Sequence, residues 1–435
     1  MKMKKMSWAL ALAGFLGSQA ALAEVTYNFS GFGTLEAVHS DSREADFRGN
    51  IVQPNGAGRS GATMFGVDTK LGLQATANIG NGFSATVQAV ADHRADNSYT
   101  PQFEWANLKY QINDTVYVRA GRVVAPVFMV SDFRNVGFSQ ATVRPAYEIY
   151  MLNPITHLDG VEVGTKFDVA GGNLRVQATA GRVKLTVKSR GQDDPINVTG
   201  SDRNINMTYE KDSQTFRLGY NRTKTDSQGP GITQIDAAFA AAAAFPAFGY
   251  PTPNANLHDI KATLWDLGYI YDDGKWLGQV EYVQARSEGP AVQDTDAWSA
   301  MLGYRIGKWT PYAGYSRMTS KEPPLKYGEP VNPFAGTPFG PRAQQLVDGI
   351  NQFDNVINTH NQQHTVTLGT RYDFYKNVAL KLQWDRSFKP GMGASVSPGG
   401  RWSGLNRGVF INPTDAFMRG SYAVNLYTVT LDFVF

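Results

Sequence analysis

The sequence predicts an all-β protein that crosses a membrane as a closed antiparallel barrel of about 16 strands, with short turns at one rim and long loops at the other. Three observations predict this fold class. The N-terminus has the pattern of an export signal, many short segments alternate polar and apolar residues, and the last segment is an amphipathic strand that ends on Phe435.

The first 23 residues predict a cleaved secretory signal peptide. Three lysines within Met1–Met6 precede the apolar run Trp8–Leu16, and Ala21–Ala23 supplies a small-x-small cleavage pattern. The mature chain is expected to begin at Glu24. The run is too short to anchor the protein, because a membrane helix needs about 20 apolar residues.

Composition excludes several function classes. Removing the three signal lysines from the 41 basic residues leaves as many basic as acidic residues, 38 of each, so the basic pI does not indicate nucleic-acid binding. The chain has no cysteine, and therefore neither disulfides nor a thiolate metal site is expected. No metal or cofactor is predicted. The negative mean hydropathy agrees with a barrel, since only every second strand residue faces lipid.

The last segment, Ala423–Phe435, alternates strictly. One parity is apolar or aromatic (Tyr427, Val429, Leu431, Phe433 and Phe435), and the other carries Thr428, Thr430 and Asp432. A period of two indicates a strand with one apolar and one polar face. A soluble sandwich could also end in such a strand, so the remaining chain has to decide. In a barrel, this strand is expected to close the sheet against Tyr27–Val38, with Thr430 and Asp432 toward the lumen.

The chain between these ends, residues 24–435, reads as one domain of hairpins. Asn, Asp and Gly supply the positive φ that tight turns need. Short turns are predicted at Gly80–Gly82, Asn113–Asp114, Gly171–Asn173, Lys211–Ser213, Asp272–Gly274, Gly307–Lys308 and Tyr375–Asn377. Long loops are predicted at Ser40–Ala62, Arg94–Thr100, Val124–Asp159, Lys184–Arg203, Thr225–Asp259, Ser287–Asp296, Lys321–Gln362 and Phe388–Tyr422.

The predicted strands repeat the alternation of the last one. In Val378–Asp385 the outward set is apolar and the inward set includes Lys381 and Asp385, and Phe83–Asp92 behaves in the same way. Aromatic residues near strand ends are typical of interfacial girdles. The predicted girdle residues are Tyr110, Phe374, Trp384, Tyr427 and Phe433. The loop Lys321–Gln362 is long enough to hold two more strands, which leaves 16 and 18 strands open.

Four short motifs resemble the general porin family of Gram-negative outer membranes. They are Thr69–Leu73 leading to Gly80–Phe83, Glu104–Leu108, Gly121-Arg122 before an irregular segment, and the terminal strand ending in Phe435. The resemblance implies a 16-stranded barrel in the outer membrane, in contact with its lipid and lipopolysaccharide, usually a homotrimer, through which small hydrophilic solutes and ions diffuse passively. It also implies that Tyr427, Phe433 and Phe435 belong to the signal read by the barrel-assembly machinery.

The resemblance further implies that the loop at residues 124–159 folds into the barrel and narrows it, with acids on the loop facing bases on the wall. Lys70 stands where the family commonly has a wall arginine, and Arg122 matches the arginine of its Gly-Arg motif. Strand parity favours Arg119 in the lumen instead of Arg122, unless a bulge near Gly121 shifts the register. On the loop, the expected constriction residues are Asp132, Arg134, Arg144 and Glu148.

The alternatives concern what the lumen does. Inward charges either select ions or simply keep the wall wet and pair with one another. Aromatic and arginine residues on residues 124–159 leave open a substrate-specific channel with a saturable site, and an adhesin or scaffold is a weaker competitor. No H-E-x-x-H or G-x-S-x-G pattern occurs, so an enzyme is not expected, although spacing alone leaves a Ser/His site assembled across strands open.

Overall fold

A closed ring of sixteen antiparallel strands forms the molecule. The computed structural model describes residues 25–187, 196–244, 258–288, 293–321, 331–357, 359–397 and 402–435, so the predicted signal peptide lies outside the described residues. The strands are β1 Thr26–Ser40, β2 Lys70–Gly80, β3 Phe83–Asp92, β4 Gln102–Gln111, β5 Val116–Val124, β6 His157–Val169, β7 Gly172–Val187, β8 Ile196–Lys211, β9 Gln214–Gln228, β10 Ile260–Asp272, β11 Trp276–Ser287, β12 Thr295–Tyr304, β13 Trp309–Ser320, β14 Gln363–Tyr375, β15 Val378–Lys389 and β16 Tyr422–Val434.

The ring closes where the sequence predicts it to close. β16 pairs with β1 in antiparallel register, with Leu35 opposite Leu431 and Ala37 opposite Val429. The paired part of β1 is Phe32–Ser40, shifted from the expected partner because Val434 lies opposite Phe32 and the backbone of Phe435 already bonds Gly31. Every strand therefore has two neighbours, which is what a spanning sheet needs in a solvent that offers no hydrogen bonds.

Aromatic rings cover glycines at this seam. The ring of Phe433 lies so close to Gly33 that a Cβ there would come within 2.3 Å of it, and Phe435 stands in the same relation to Gly31. The backbone of Phe435 also exchanges two hydrogen bonds with Gly31. The outward aromatic residues of the last strand thus pack on the closing seam itself.

The short turns confirm the prediction that Asn, Asp and Gly supply the positive φ of the tight connections. Asn81, Asp212 and Asn377 adopt positive φ between strands joined by two residues. At the other rim, two predicted loop bounds are wrong. β7 continues to Val187 and β8 begins at Ile196, because the alternating ladder extends beyond the predicted end at Lys184.

The long loop before β14 contributes no barrel strand within its described part. It contains the helix Gly340–Ile357, and the alanine-rich loop before β10 contains the helix Pro230–Ala243. The strand count is therefore sixteen rather than eighteen. Among the described residues, no helix is long and apolar enough to cross a membrane.

Three loops fill part of the barrel with an apolar core. Residues 41–69, residues 125–156 and the described part of residues 390–421 turn inward and pack together, burying large side chains almost completely. These include Phe47, Phe128, Ile149, Phe410 and Phe417. This core includes side chains of β1, β10–β13 and β16, and the open part of the lumen is lined by β2–β7.

Candidate functional site

The segment between β5 and β6, residues 125–156, lies inside the barrel and is called the inner loop here. Its root is fixed by a backbone hydrogen bond from Ala125 to Thr156. On the β9–β11 wall, the Met129 amide donates to Glu281 at 2.9 Å, and Arg217 donates to the carbonyl of Pro126. Buried polar groups need such partners, so these contacts hold the start of the loop against the wall.

The tip of the inner loop is bound to the opposite wall. The buried ammonium of Lys381 donates to the carbonyls of Gly137 at 2.8 Å and Thr142 at 2.9 Å, and it pairs with Asp432 at 3.1 Å. On β14, the Arg371 guanidinium also donates to loop carbonyls. Lys381 and Asp432, predicted from parity to face the lumen, thus fasten the loop.

Arg144 is the most heavily contacted residue of the inner loop. Its guanidinium lies 2.7 Å from Asp68, 3.2 Å from Asp385 and 3.7 Å from Glu36, with its side chain only 8% exposed. Burial by itself lowers the pKa of Arg144, but these carboxylates outweigh burial and raise that pKa above its ordinary value. Arg144 therefore stays charged and joins the loop to two walls.

Glu148 plays a matching part four residues later. It is 1% exposed and accepts hydrogen bonds from Ser316 at 2.5 Å, Gln363 at 2.7 Å and Thr365. The sequence predicts Arg144 and Glu148 among the constriction residues, and the structure corrects this placement. Both are buried between loop and wall, where they fix the position of the loop and do not face the open lumen.

The open lumen beside the inner loop is a cavity of about 760 Å³. Its wall carries four basic side chains on adjacent strands: Lys109 on β4, Arg119 on β5, Lys166 on β6 and Arg175 on β7. Two carboxylates also line it, Asp132 from the inner loop and Asp114 from the β4–β5 turn.

The four cations form two cross-strand pairs of like charge. Lys109 lies directly opposite Arg119, and Lys166 lies directly opposite Arg175. Like charges directly opposite each other destabilise a sheet by a few tenths of a kcal/mol or more. Folding alone does not favour this arrangement, so the cations are candidates for function.

Tyr117 contacts both members of the pair formed by Lys109 and Arg119. The Lys109 ammonium lies 4.5 Å from the centre of its ring, and the Arg119 guanidinium lies 5.4 Å from it. The Tyr117 hydroxyl donates to Glu162 at 2.7 Å, and the same carboxylate binds Arg119 at 2.9 and 3.0 Å. Glu162 thus balances the charge of Arg119. Among the described residues, Lys109, Lys166 and Arg175 have no such carboxylate partner and keep the wall positive.

The structure brings two of the predicted residues together. Arg119 and Asp132 line the same cavity, from the wall and from the loop. Lys70 lies apart from them at the start of β2, where it interacts electrostatically with Glu36 and Asp92. Arg134 is half-buried, with its guanidinium 5.7 Å from the Tyr150 ring centre, and burial lowers its pKa.

Arg122 lies on the outer face of the barrel, and its predicted position in the constriction is wrong. Its guanidinium binds Asp159 at 2.7 and 2.8 Å, and Asp159 shares the outward parity of the exposed Val161 and Val163. Gly121 has a φ of 119°, but the pairing with β4 continues without a shift. The parity of β5 therefore decides for Arg119 in the lumen.

The sequence reasoning missed Lys109 and Lys166 and assigned Arg175 to general wetting of the wall. Their parity is legible, since Lys109 alternates with the outward Leu108 and Tyr110. What the sequence does not show is the register that sets each pair side by side. Among the described residues, no group of three or more His, Asp or Glu side chains is arranged to hold a metal ion.

Comparison with known proteins yields one family. The model of the Gram-negative porin family matches residues 9–389. No curated protein matches the chain. Among solved structures, the chain is similar to the anion-selective porin from Comamonas acidovorans (13% identity, 95% of this chain and 100% of that chain, TM-score 0.49) and to the trimer form of OmpT from Vibrio cholerae (11% identity, 94% and 99%, TM-score 0.49). Because both TM-scores lie below 0.5, the assignment depends on the family match alone.

Proposed function

Because this chain belongs to the Gram-negative porin family, we propose that the water-filled channel it forms in the outer membrane prefers small anions. It is an outer-membrane β-barrel for passive diffusion of small hydrophilic solutes. The observation that carries the proposed preference is the basic ladder of Lys109, Arg119, Lys166 and Arg175, which shares the open cavity with the carboxylates Asp114 and Asp132.

The direction of the preference follows from the charges that remain unpaired. Glu162 balances Arg119, which leaves three cations against two carboxylates along the solute path. A unit charge about 8 Å from a permeating ion in water is worth about 0.5 kcal/mol, or roughly a twofold change in local anion concentration. Asp132 opposite the ladder adds a transverse field, so the expected anion preference is moderate.

Reversal potentials in a planar bilayer under a KCl gradient test the proposal. The variant Lys109→Gln/Lys166→Gln/Arg175→Gln should shift the reversal potential toward cations, and Asp132→Asn should shift it toward anions. Arg122→Gln is the matched control, because it removes a cation from the outer face and should leave the potential unchanged. A cation-selective wild-type channel, or an unmoved potential in the triple variant, would refute the preference.

A second cavity supports substrate-specific passage as the alternative function. It measures about 260 Å³, lies between the inner loop and the β10–β15 wall, and is lined by apolar residues such as Phe133, Ile270 and Met301 beside the charged Arg144 and Glu148. A small amphiphilic solute fits such a lining better than an inorganic ion does. Conductance that saturates with such a solute and blocks KCl current would favour this function, and flux linear in concentration favours plain diffusion.

The oligomer proposed for the channel is a homotrimer, in contact through the outer face of β2–β5. Seven alanines lie on this face among larger apolar residues, and the described strands β2–β5 carry no outward Trp or Tyr near the long-loop rim. Trp and Tyr do occupy that level on β10–β16, where they suit a lipid interface. The small outward residues are Ala75, Ala77, Ala85, Ala89, Ala91, Ala106 and Ala120; the aromatic ones are Trp265, Tyr282, Trp298, Tyr315, Trp384 and Tyr427.

Light scattering of the detergent-solubilised protein tests the trimer. Ala89→Trp on β3 should dissociate it by blocking close packing, whereas Ala300→Trp, on the outer face of β12, should leave it intact. A wild-type monomer, or a trimer that survives Ala89→Trp, would contradict this interface. The proposal includes no enzymatic step, because a diffusion channel needs none.

Assembly through the barrel-assembly machinery is proposed from the final strand. Phe433 and Phe435 cover glycines of β1, so the strand that would be recognised is also the strand that seals the ring. The rate of assembly in a reconstituted system tests this proposal. Phe435→Ala should slow assembly, whereas Phe374→Ala, which removes an aromatic residue from another strand, should not. Equal rates in the two variants would contradict a signal in the final strand.

A further inference from the structure

One tryptophan in the lumen differs from every other tryptophan on the barrel strands that the structure describes. Trp105 on β4 lines the cavity of about 760 Å³, together with Asn107 and Lys109 of the same inward parity. The other tryptophans on the described strands lie on the outer face, where a lipid interface accounts for them. They are Trp265, Trp276, Trp298, Trp309 and Trp384. A lipid interface does not account for Trp105.

A β-bulge directs Trp105 inward. Trp105 lies opposite Gln88 on β3, and the next pair along the two strands is Phe103 with Ala89. Glu104 and Trp105 therefore share one position of the ladder. Phe103 is 56% exposed on the outer face and Glu104 is buried, so a regular strand would turn the following side chain outward again. Bulges are over-represented beside functional sites, where they re-aim a side chain.

Trp105 also lacks the partners that the outward tryptophans have. Trp265 packs on Tyr220 with ring centres 4.7 Å apart, and Trp276 packs on Tyr304 at 4.6 Å. Among the described residues, no aromatic ring and no cation stacks on the Trp105 indole, and its N–H donates no hydrogen bond. Because barrel lumens are normally polar, an unstacked indole is not favoured there by folding alone. Its ring and its N–H are available to a solute.

Cations lie on the periplasmic side of this indole. Lys109 is four residues further along β4, about 14 Å by the rise of a strand, and Arg119 lies directly opposite it. Asn107 lies between them and is held by its own contact, because its amide donates to the Arg122 carbonyl at 2.9 Å. The lysine stem is flexible, so the indole, the ammonium and one small aromatic acid can span this distance together. The arrangement suits a planar ring that carries an anionic group.

We propose that Trp105, Lys109 and Arg119 form a binding site in the lumen for small aromatic carboxylates. The inference rests on the proposed anion preference and adds the class of organic solute. The ring of the solute stacks on the indole, while its carboxylate accepts charge-assisted hydrogen bonds from the basic pair. Asp132 on the inner loop lines the same cavity and repels the carboxylate, which favours the basic wall. Such a site binds strongly enough to recruit the solute and weakly enough to release it.

Block of the KCl current through single channels tests the site. The probes are benzoate, cyclohexanecarboxylate, which has the same charge and a similar size but no aromatic face, and benzyl alcohol, which has the ring without the charge. In wild type, benzoate should block at an about fivefold lower concentration than cyclohexanecarboxylate, the difference that one aromatic pair makes. Benzyl alcohol should block least. Trp105→Leu should abolish the difference between the two acids, and Trp105→Tyr, which keeps a ring, should retain it.

The controls separate this site from the anion preference. Lys109→Gln should weaken block by both acids alike and shift the KCl reversal potential, whereas Trp105→Leu should leave that potential and the unblocked conductance unchanged. Trp298→Leu removes a tryptophan from the outer face and should leave every blocking concentration unchanged. Equal block of wild type by the two acids, or unchanged benzoate block in Trp105→Leu, would overturn the site even in an anion-selective channel. Block by benzyl alcohol as strong as that by benzoate would overturn the assignment to carboxylates.

Discussion

Arg144→Met should release the inner loop without opening the barrel. The substitution keeps most of the side-chain volume but removes the cation that Asp68, Asp385 and Glu36 surround. Three carboxylates would then be left in a site where their partner was 8% exposed. Breaking a buried ion pair by removing one member costs about 3–5 kcal/mol, because the remaining charge is uncompensated.

The cost should appear in the loop, since the sixteen-stranded ladder is untouched. Lys381 still holds the tip and Glu148 still holds the far side, so the segment between them becomes mobile while both ends remain attached. Single-channel recordings should show larger, noisier currents than wild type, with rapid transitions between levels. The thermal unfolding temperature of the barrel in detergent should change little by comparison.

Removing the repelling carboxylates should reverse the effect. Arg144→Met/Asp68→Asn/Asp385→Asn replaces the cation and its two nearest carboxylates by neutral groups of similar shape and keeps only Glu36, so current noise should fall back toward the wild-type level. Arg134→Met is the matched control on the same loop, because Arg134 has no ion pair among the described residues. Wild-type current noise in Arg144→Met, or equal noise in Arg134→Met, would refute the idea that the charge cluster holds the loop.

Further substitutions separate the contacts of the loop from those of the wall. Lys381→Met removes the cation that binds Gly137 and Thr142 and leaves the buried Asp432 without it, so the unfolding free energy of the loop, followed by hydrogen exchange, should fall by about 3–5 kcal/mol. Glu148→Ala should increase current noise, whereas Glu148→Gln, which keeps one acceptor, should do so less. Tyr117→Phe keeps the ring beside Lys109 but removes the hydrogen bond to Glu162, so ion selectivity should change less than in Lys109→Gln.

The fold was largely predictable because a barrel wall imposes one rule on every strand. Side chains alternate between lipid and lumen, so a period of two in the sequence maps directly onto the two faces. Tyr427, Val429 and Leu431 face outward as the pattern predicts, and β1 closes the ring against them. The wrong loop bounds at residues 184–203 arise because alternation continues above the membrane, where polarity no longer distinguishes strand from loop.

The candidate site was less predictable because parity fixes the face of a residue but neither its height nor its neighbours. Parity placed Arg119 in the lumen, and the structure agrees. It could not show that Lys166 and Arg175 are directly opposite each other, since register depends on turn geometry across several strands. For Arg144 and Glu148 the difficulty is greater, because an irregular loop has no period from which burial can be inferred.

The distribution of charge over the lumen follows from where the inner loop is fastened. On β1 and β14–β16, inward charges such as Glu36, Lys381 and Asp432 are buried in contacts that hold the loop or its neighbours. Because these charged groups are buried, they do not contact solutes in the open cavity. Selectivity therefore depends on the wall that the loop leaves uncovered, β4–β7, where like charges are adjacent and exposed to the cavity. A sum over all inward charges would miss this, because the loop removes one side of the barrel from the solute path.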